Sequence, residues 1–216
     1  MSLDNIMDCC KHTNKSKKCK RNSDNKFFSL PRRFTKKQCQ KGVKGFTMRS
    51  SCAPYKGCQR GGKKNIHAIS VLHKNPYNID GTIVFNQVKG GVRIKYNITG
   101  LKNGKHGFHI HEFGDLTDGC KSAGAHFNPL NKNHGGLTSK ERHLGDLGNI
   151  QTVKNITKGS LFAKDISLDN KMNSILGRMI VIHSDEDDLG NGGDEESLKT
   201  GNAGKRLACG VIGLKK

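Results

Sequence analysis

The stretch from His106 to Asp146, HGFHIHEFGDLTDGCKSAGAHFNPLNKNHGGLTSKERHLGD, constrains this chain more than any other, because it sets six of the ten histidines among helix breakers. Gly, Asn, Asp and Pro at this density exclude a helical face, so the histidines must be gathered by a short strand that runs into a long folded loop. On a strand through Gly107–His111, His109 and His111 point to one face while Phe108 and Ile110 point to the other. Two adjacent imidazoles suit copper or zinc. A lone H-x-H would serve equally well as a pair of surface histidines, and the loop decides against that. His126, His134 and His143 follow, with Asp146 three residues after His143, and three imidazoles with one carboxylate suffice for a tetrahedral zinc site. Cys120 lies in the same loop. His106 falls on the opposite strand face from His109 and reads as structural. His12, His67 and His73 have no motif around them.

Turn residues divide the chain after about residue 65 into short β-rich runs: His67–Leu72, Thr82–Gln87, Val92–Thr99, Gly107–His111, Gly148–Val153, Ser160–Ile166, Arg178–His183 and Ala208–Leu214. Val92–Ile98 alternates apolar and polar residues, as a half-buried strand does. Eight strands, Gly-rich turns and no convincing helix predict an all-β antiparallel sandwich or barrel. Two excursions are too long for turns: residues 112–146 and Ser184–Arg206. Each begins directly after a candidate ligand, His111 or His183, which marks both as functional loops.

The charge is unevenly spread. Of the formal +20, residues 1–64 carry 18 Lys and Arg against three acids (Asp4, Asp8 and Asp24), and six of the eight cysteines lie there too. Residues 65–216 carry 20 Lys and Arg against 15 acids. The division is therefore a basic, cysteine-containing extension, 1–64, ahead of one globular domain, 65–216. The extension has few apolar residues, and Phe27, Phe28 and Phe34 show no sustained period, so disorder is expected. Three roles compete for it. Its charge suits a polyanion such as nucleic acid, although no aromatic or fold signature accompanies the charge. Cys9-Cys10 beside a polybasic run suits palmitoylation. A transit peptide fits the basic content but not Asp4 and Asp8. Without a C-x-x-C pair, a zinc finger is not expected. No apolar run spans a membrane and no signal-peptide core is present at the N-terminus, which gives a cytoplasmic expectation.

Taken together, HGFHIHEFGD, GAHFNP, the HGG at His134, RHLGDLGN and the late segment GRMIVIHSDEDDLGNGGDEESLKTGNAGKRLACGVIG resemble the copper/zinc superoxide dismutases over about Ile66 to Lys216. The resemblance implies an eight-stranded Greek-key β-barrel, an immunoglobulin-like sandwich, with a zinc loop and an electrostatic loop. It implies one copper ion held by His109, His111, His126 and His183, and one zinc ion held by His126, His134, His143 and Asp146, with His126 bridging the two. It makes Asp187 the residue that orients a copper histidine and a zinc histidine, and Cys120–Cys209 a disulfide. The implied reaction disproportionates superoxide to oxygen and hydrogen peroxide as copper cycles between Cu(II) and Cu(I), with His126 carrying a proton. Arg206 would dock the anion, and Lys199, Thr200, Glu195 and Glu196 would shape its approach. Ala125 departs from the family, where a proline often precedes the bridging histidine.

The family also implies a homodimer, through Phe113 and Gly114, then Ile175, Leu176 and Gly177, then Val211, Ile212 and Leu214, and metal loading by a copper chaperone. Two rival identities are weaker. A copper chaperone containing such a domain would carry M-x-C-x-x-C near its start and C-x-C near its end, and the chain has neither. A metal-free dismutase-like binding protein would have lost ligands, and all seven positions are filled.

Overall fold

A computed structural model describes residues 8–11, 17–21, 23–41, 43, 45–55, 66–72, 75–169 and 172–216. The chain divides into two compact units, Met1–Lys64 and Asn65–Lys216.

In the first unit, structure and composition part. Strand β1 (Lys18–Lys20) pairs antiparallel with β2 (Phe27–Ser29), with Lys18 opposite Ser29 and Lys20 opposite Phe27. Helix α1 (Lys36–Gln40) starts at a capping box, in which Thr35 and Gln38 satisfy each other's backbone N–H groups. Helix α2 (Gly45–Cys52) follows. Cys39–Cys52 joins the two helices over a small cluster with Tyr55, Phe34 and Met48, and Cys9–Cys19 ties the residues before β1 to that strand. The expected disorder is thus not what the described residues show. Apolar content cannot build a core here, but cross-links closing loops of 10 and 13 residues each remove about 3 kcal/mol of chain entropy from the unfolded state. Cys10 is disulfide-bonded as well, so palmitoylation of Cys9-Cys10, which needs free thiols, does not fit. His12, Cys58 and His73 lie outside the described residues.

The second unit is built from alternation. Its strands are β3 (His67–Val71), β4 (Asp80–Val88), β5 (Gly91–Thr99), β6 (Gly104–His111), β7 (Asp146–Thr152), β8 (Ile156–Lys164), β9 (Met179–His183), β10 (Arg206–Val211) and β11 (Gly213–Leu214). They form two antiparallel sheets, ordered β10-β9-β6-β7 and β11-β3-β4-β5-β8. Phe108 and Ile110 of β6, Ile180 and Ile182 of β9, Ile83 and Phe85 of β4, and Ile94 and Ile98 of β5 fill the space between them. The all-β Greek-key expectation holds, with one refinement. The last run splits at Ile212 into two strands that lie in different sheets, so the chain crosses from one sheet to the other at that edge. At the opposite edge β7 passes to β8 through a tight turn whose central residues, Lys154 and Asn155, both have positive φ (51° and 61°). That is the primed turn that suits strand twist, and asparagine tolerates it well. Joined at both edges, the two sheets enclose one core.

Both long excursions are ordered. The first contains a 3-10 turn at Gly119–Ala123, and the second contains helix α3 (Ser197–Thr200). A chain starting at Asn65 is expected to fold and to bind metal ions as the full chain does, because the barrel's core draws only on residues 66–216. Circular dichroism and metal analysis of that truncation check this, and lost metal binding would contradict it.

Candidate metal centre

Strands β6 and β9 run through the middle of their sheet, and every residue of His106–His111 and Met179–His183 is buried, so both of their faces are covered. Their inward residues enter the barrel core. On the outer face, Met179 and Val181 of β9 pack with Cys209 and Ala123 beneath the first loop. His109 sits opposite Val181 and His111 opposite Met179 in the β6–β9 register, and His183 ends β9 on that same face. A bridge between His111 and His126 then brings the returning loop alongside. Ile110 and Phe127 exchange backbone bonds with Gly145 and each other, so Gly145 lies so close that a Cβ there would stand 2.1 Å from Ile110 O. Only glycine fits this crossing. Ala125 is tied by its carbonyl to Glu112 N at 3.0 Å, which anchors the loop without a proline.

Two four-residue clusters result, and they share His126. In each of them, His109, His111, His126 and His183 on one side and His126, His134, His143 and Asp146 on the other, one donor atom per residue lies within 4.8 Å of all the rest. All seven residues are buried. Their remaining polar atoms are engaged, which fixes which atom faces the centre. His111 Nδ1 meets Gly124 O at 2.9 Å and His183 Nδ1 meets Gly204 O at 3.3 Å, leaving each Nε2 inward. Asp146 Oδ2 accepts from the backbone N–H of Gly135 (3.1 Å) and of His143 (2.8 Å). Its Oδ1 faces the Nδ1 atoms of His126, His134 and His143 at 2.9, 3.0 and 3.2 Å. Asp187 Oδ2 meets His109 Nε2 and Oδ1 meets His134 Nε2, each at 2.8 Å, so one carboxylate orients a histidine of each cluster. Three buried ring nitrogens make no hydrogen bond: His109 Nδ1, His126 Nε2 and His134 Nδ1, the last close to Asp146 Oδ1 but without the geometry of a hydrogen bond. Orphaned buried acceptors are rare in proteins, and lone pairs converging in this way fit cations. Imidazole-rich sites suit copper, and three nitrogens with one oxygen suit zinc.

The electrostatics point the same way. Burial holds the imidazoles of His109 and His111 well below the usual histidine value, with neighbouring His126 adding to the effect, and burial also lowers His126. Burial pushes His183 down to about 4. Burial would lower His134 too, but its bond to Asp187 and the Asp146 carboxylate beside its other nitrogen outweigh that and raise it to about 9. Burial opposes ionisation of both carboxylates, yet their bonds to histidines hold them well below the normal carboxylate range. At His109, His111, His126 and His183 this gives the neutral, lone-pair-bearing imidazoles that metal ligation requires, whereas His134, raised by its carboxylate neighbours, would release a proton on ligating.

A cleft opens over the first cluster, lined by His111, His126, His183, Lys199, Thr200 and Arg206. The guanidinium of Arg206 donates to the carbonyl oxygens of Cys120 (2.8 Å), Lys121 (3.1 Å) and Gly124 (2.6 Å), so neutral acceptors hold its charge. Cys120 is in turn fixed by its disulfide to Cys209 on β10, across 89 residues, worth about 4–5 kcal/mol of chain entropy. Thr200 Oγ1 bonds Glu196 Oε1 at 2.7 Å, and Lys199 pairs with Glu195 at 2.6 Å. Glu196 lines the cleft, and Glu195 pairs with Lys199, which lines it too.

Residues 79–212 match the family model described as copper/zinc superoxide dismutase (SODC). The chain is 53% identical over 153 residues to a Cu-Zn superoxide dismutase of Yarrowia lipolytica, a match spanning 69% of this chain and 98% of the yeast protein. It is 56% identical over 155 residues to one from Paramecium bursaria Chlorella virus 1 (71% of this chain, 81% of the viral protein), and 52% identical over 155 residues to an extracellular one from Brugia pahangi (70% and 77%). The chain belongs to the copper/zinc superoxide dismutase family. It is a copper- and zinc-dependent enzyme that converts superoxide to oxygen and hydrogen peroxide.

The dismutase site also depends on residues that ligand motifs do not reveal. Asn149 clamps the Asp187 backbone, donating from Nδ2 to Asp187 O and accepting from Asp187 N, both at 2.8 Å. Gly201 has φ +68°, and a Cβ there would stand 2.1 Å from Asp187 Oδ1, so only glycine lets Asp187 meet His134. Gly124 and Gly204 supply carbonyls to His111 and His183. The asparagine in RHLGDLGN and the glycine density of the second loop were the available signals. His106, as expected, takes a structural place, its ring nitrogens meeting His183 O and Lys102 O, each at 2.9 Å.

The metal-free dismutase is expected to be most stable near pH 6.5. Below the ordinary histidine value of 6.5 the unfolded chain binds more protons than the folded one, because His109, His111, His126 and His183 are lowered, so stability falls with acid, for His183 down to about 4. His134, raised to about 9, contributes stability that is complete below 6.5 and lost as pH climbs through about 9. Calorimetric melting temperatures of metal-free protein across this range check the two limbs; a melting temperature that rises steadily toward acid would contradict them.

Proposed function

We propose that His109, His111, His126 and His183 hold the copper ion and that His126, His134, His143 and Asp146 hold the zinc ion, with His126 shared. The observation that carries this is the set of buried nitrogens without hydrogen bonds, His109 Nδ1, His126 Nε2 and His134 Nδ1, in two clusters whose donor atoms lie within 4.8 Å of one another. When bound, copper supplies the one-electron redox chemistry, and zinc, which has none, serves structure.

The chain's own residues do the rest. Arg206 draws the anion into the cleft and docks it, since a guanidinium stays charged and presents a planar fork of donors. Cys120–Cys209 acts through Arg206 by fixing the carbonyl of Cys120 that the guanidinium grips. Thr200 narrows the approach, and Lys199, Glu195 and Glu196 shape the field around it. His126, a residue of the cleft wall, holds and releases a proton needed for hydrogen peroxide. Asp187, itself clamped by Asn149, keeps the rings of His109 and His134 in register. Arg206→Ala is expected to lower kcat/KM at least about tenfold, the worth of a charged hydrogen bond, with copper content unchanged. The parent rate is expected to fall as salt shortens the reach of the field. Stopped-flow decay of superoxide across ionic strengths measures both, and a salt-independent rate with an unaffected variant removes Arg206 from the mechanism.

We infer a homodimer as well. Of the apolar positions read as a pairing patch, Ile175 and Ile212 are buried in their own barrel and drop out. Phe113 is 56% exposed and Leu214 70% exposed. Gly114 packs so tightly on Gly177 that a Cβ would stand 2.1 Å from Gly177 O, with Val211 beside it. An exposed phenylalanine on a glycine-flattened surface suits self-complementary burial about a two-fold axis. Light scattering at micromolar concentration is expected to give twice the chain mass, and Phe113→Glu the mass of one chain. A parent mass of one chain overturns the dimer.

A copper-delivering chaperone suits a site whose His109 is fully buried. None of the helices among the described residues is long and apolar enough to cross a membrane. The cytoplasmic placement carries a condition, because reducing compartments oppose the disulfides of residues 1–64.

A further inference from the structure

We propose that residues 1–64 form a disulfide-stapled module that binds single-stranded nucleic acid through one face of the β1–β2 hairpin. The proposal stands apart from the dismutation chemistry, which uses none of these residues.

Strand alternation sorts the hairpin into two faces. Cys19 and Phe28 stand opposite each other, and their face is covered: Cys19 is fully buried in its disulfide with Cys9, and the Arg21 guanidinium lies 5.0 Å over the Phe28 ring. The other face carries Lys18 and Lys20 from β1 and Phe27 and Ser29 from β2. It is open. Phe27 is 58% exposed, and Lys20 Nζ lies 5.8 Å from its ring centroid. Asp24 already engages Arg21 and Lys26, whereas Lys18 and Lys20 have no ion pair among the described residues.

An exposed flat ring flanked by unpaired ammonium groups matches a strand that presents bases and phosphates together. The bases stack on the aromatic while the backbone meets the lysines. A sulfated polysaccharide would use the charge and leave the ring idle. A bilayer would need a broader apolar face than one phenylalanine and a neighbouring serine provide. The remaining excess of Lys and Arg over acids in residues 1–64 adds general attraction for a polyanion. The disulfides matter because they fix the ring and ammonium groups on one face without a core.

The test uses the full-length, metal-loaded, oxidised protein and fluorescein-labelled oligodeoxythymidine of about 12 nucleotides, read by anisotropy over a salt series. The parent chain is expected to bind with affinity falling linearly on a log–log plot. Phe27→Ala is expected to weaken binding about tenfold, the worth of one stacked base, with the salt slope unchanged. Lys18→Ala/Lys20→Ala is expected to flatten the slope by about 1.4, from two phosphate contacts at about 0.7 each. All variants are expected to keep parent dismutation activity and no free thiol, which separates a failure here from a failure of the enzyme's chemistry or folding. Three outcomes overturn the proposal: no binding at low salt; a Phe27→Ala variant that binds like the parent while heparin competes equally, which leaves charge alone; or Phe27-dependent binding to phosphatidylserine vesicles without binding to the oligonucleotide.

Discussion

The dismutase site hangs on two buried carboxylates. An unpaired charge in a protein interior is costly, and a buried carboxylate persists only where partners satisfy it. Asp187 meets that condition by taking His109 on one oxygen and His134 on the other. Asp146 meets it by turning one oxygen to two backbone N–H groups and the other to three imidazoles. Each carboxylate therefore holds together histidines far apart in sequence. The second loop exists in its folded form because it must deliver Asp187, and the glycine at 201 is there because nothing larger leaves room for the contact.

The sheet makes this possible by dividing labour between its faces. On β6 and β9, residues of one parity build the core, and the other parity carries His109, His111 and His183 of the site with Met179 and Val181 packed under the first loop. Stability and chemistry thus share a backbone without competing for the same side chains. The Cys120–Cys209 link extends the same economy to the substrate's side, since one covalent bond anchors the first loop to β10 and sets the carbonyls that aim Arg206.

Residues 1–64 obey a different rule. Polar, basic and poor in apolar residues, they resemble a segment that cannot fold, and composition alone gives that answer. The described residues instead close short loops with Cys9–Cys19 and Cys39–Cys52 and cap a helix with Thr35 and Gln38. Entropy removed from the unfolded chain substitutes for buried surface, which a measure of hydrophobicity cannot register.

The sequence by itself determined a great deal of the barrel. The period-two pattern of Val92–Ile98, the H-x-H at His109 and His111, and the spacing from His126 to Asp146 are local or nearly local, so strand, face and donor chemistry could be read directly. Only tertiary structure decided the rest. That Asn149 would grip the backbone of Asp187, that Gly124 and Gly204 would set two imidazoles, and that Ile175 and Ile212 would turn inward all depend on segments distant in the chain meeting at a few ångströms. The same holds for the cysteines of the extension, whose pairing depends on which thiols the fold brings together, and spacing does not encode that.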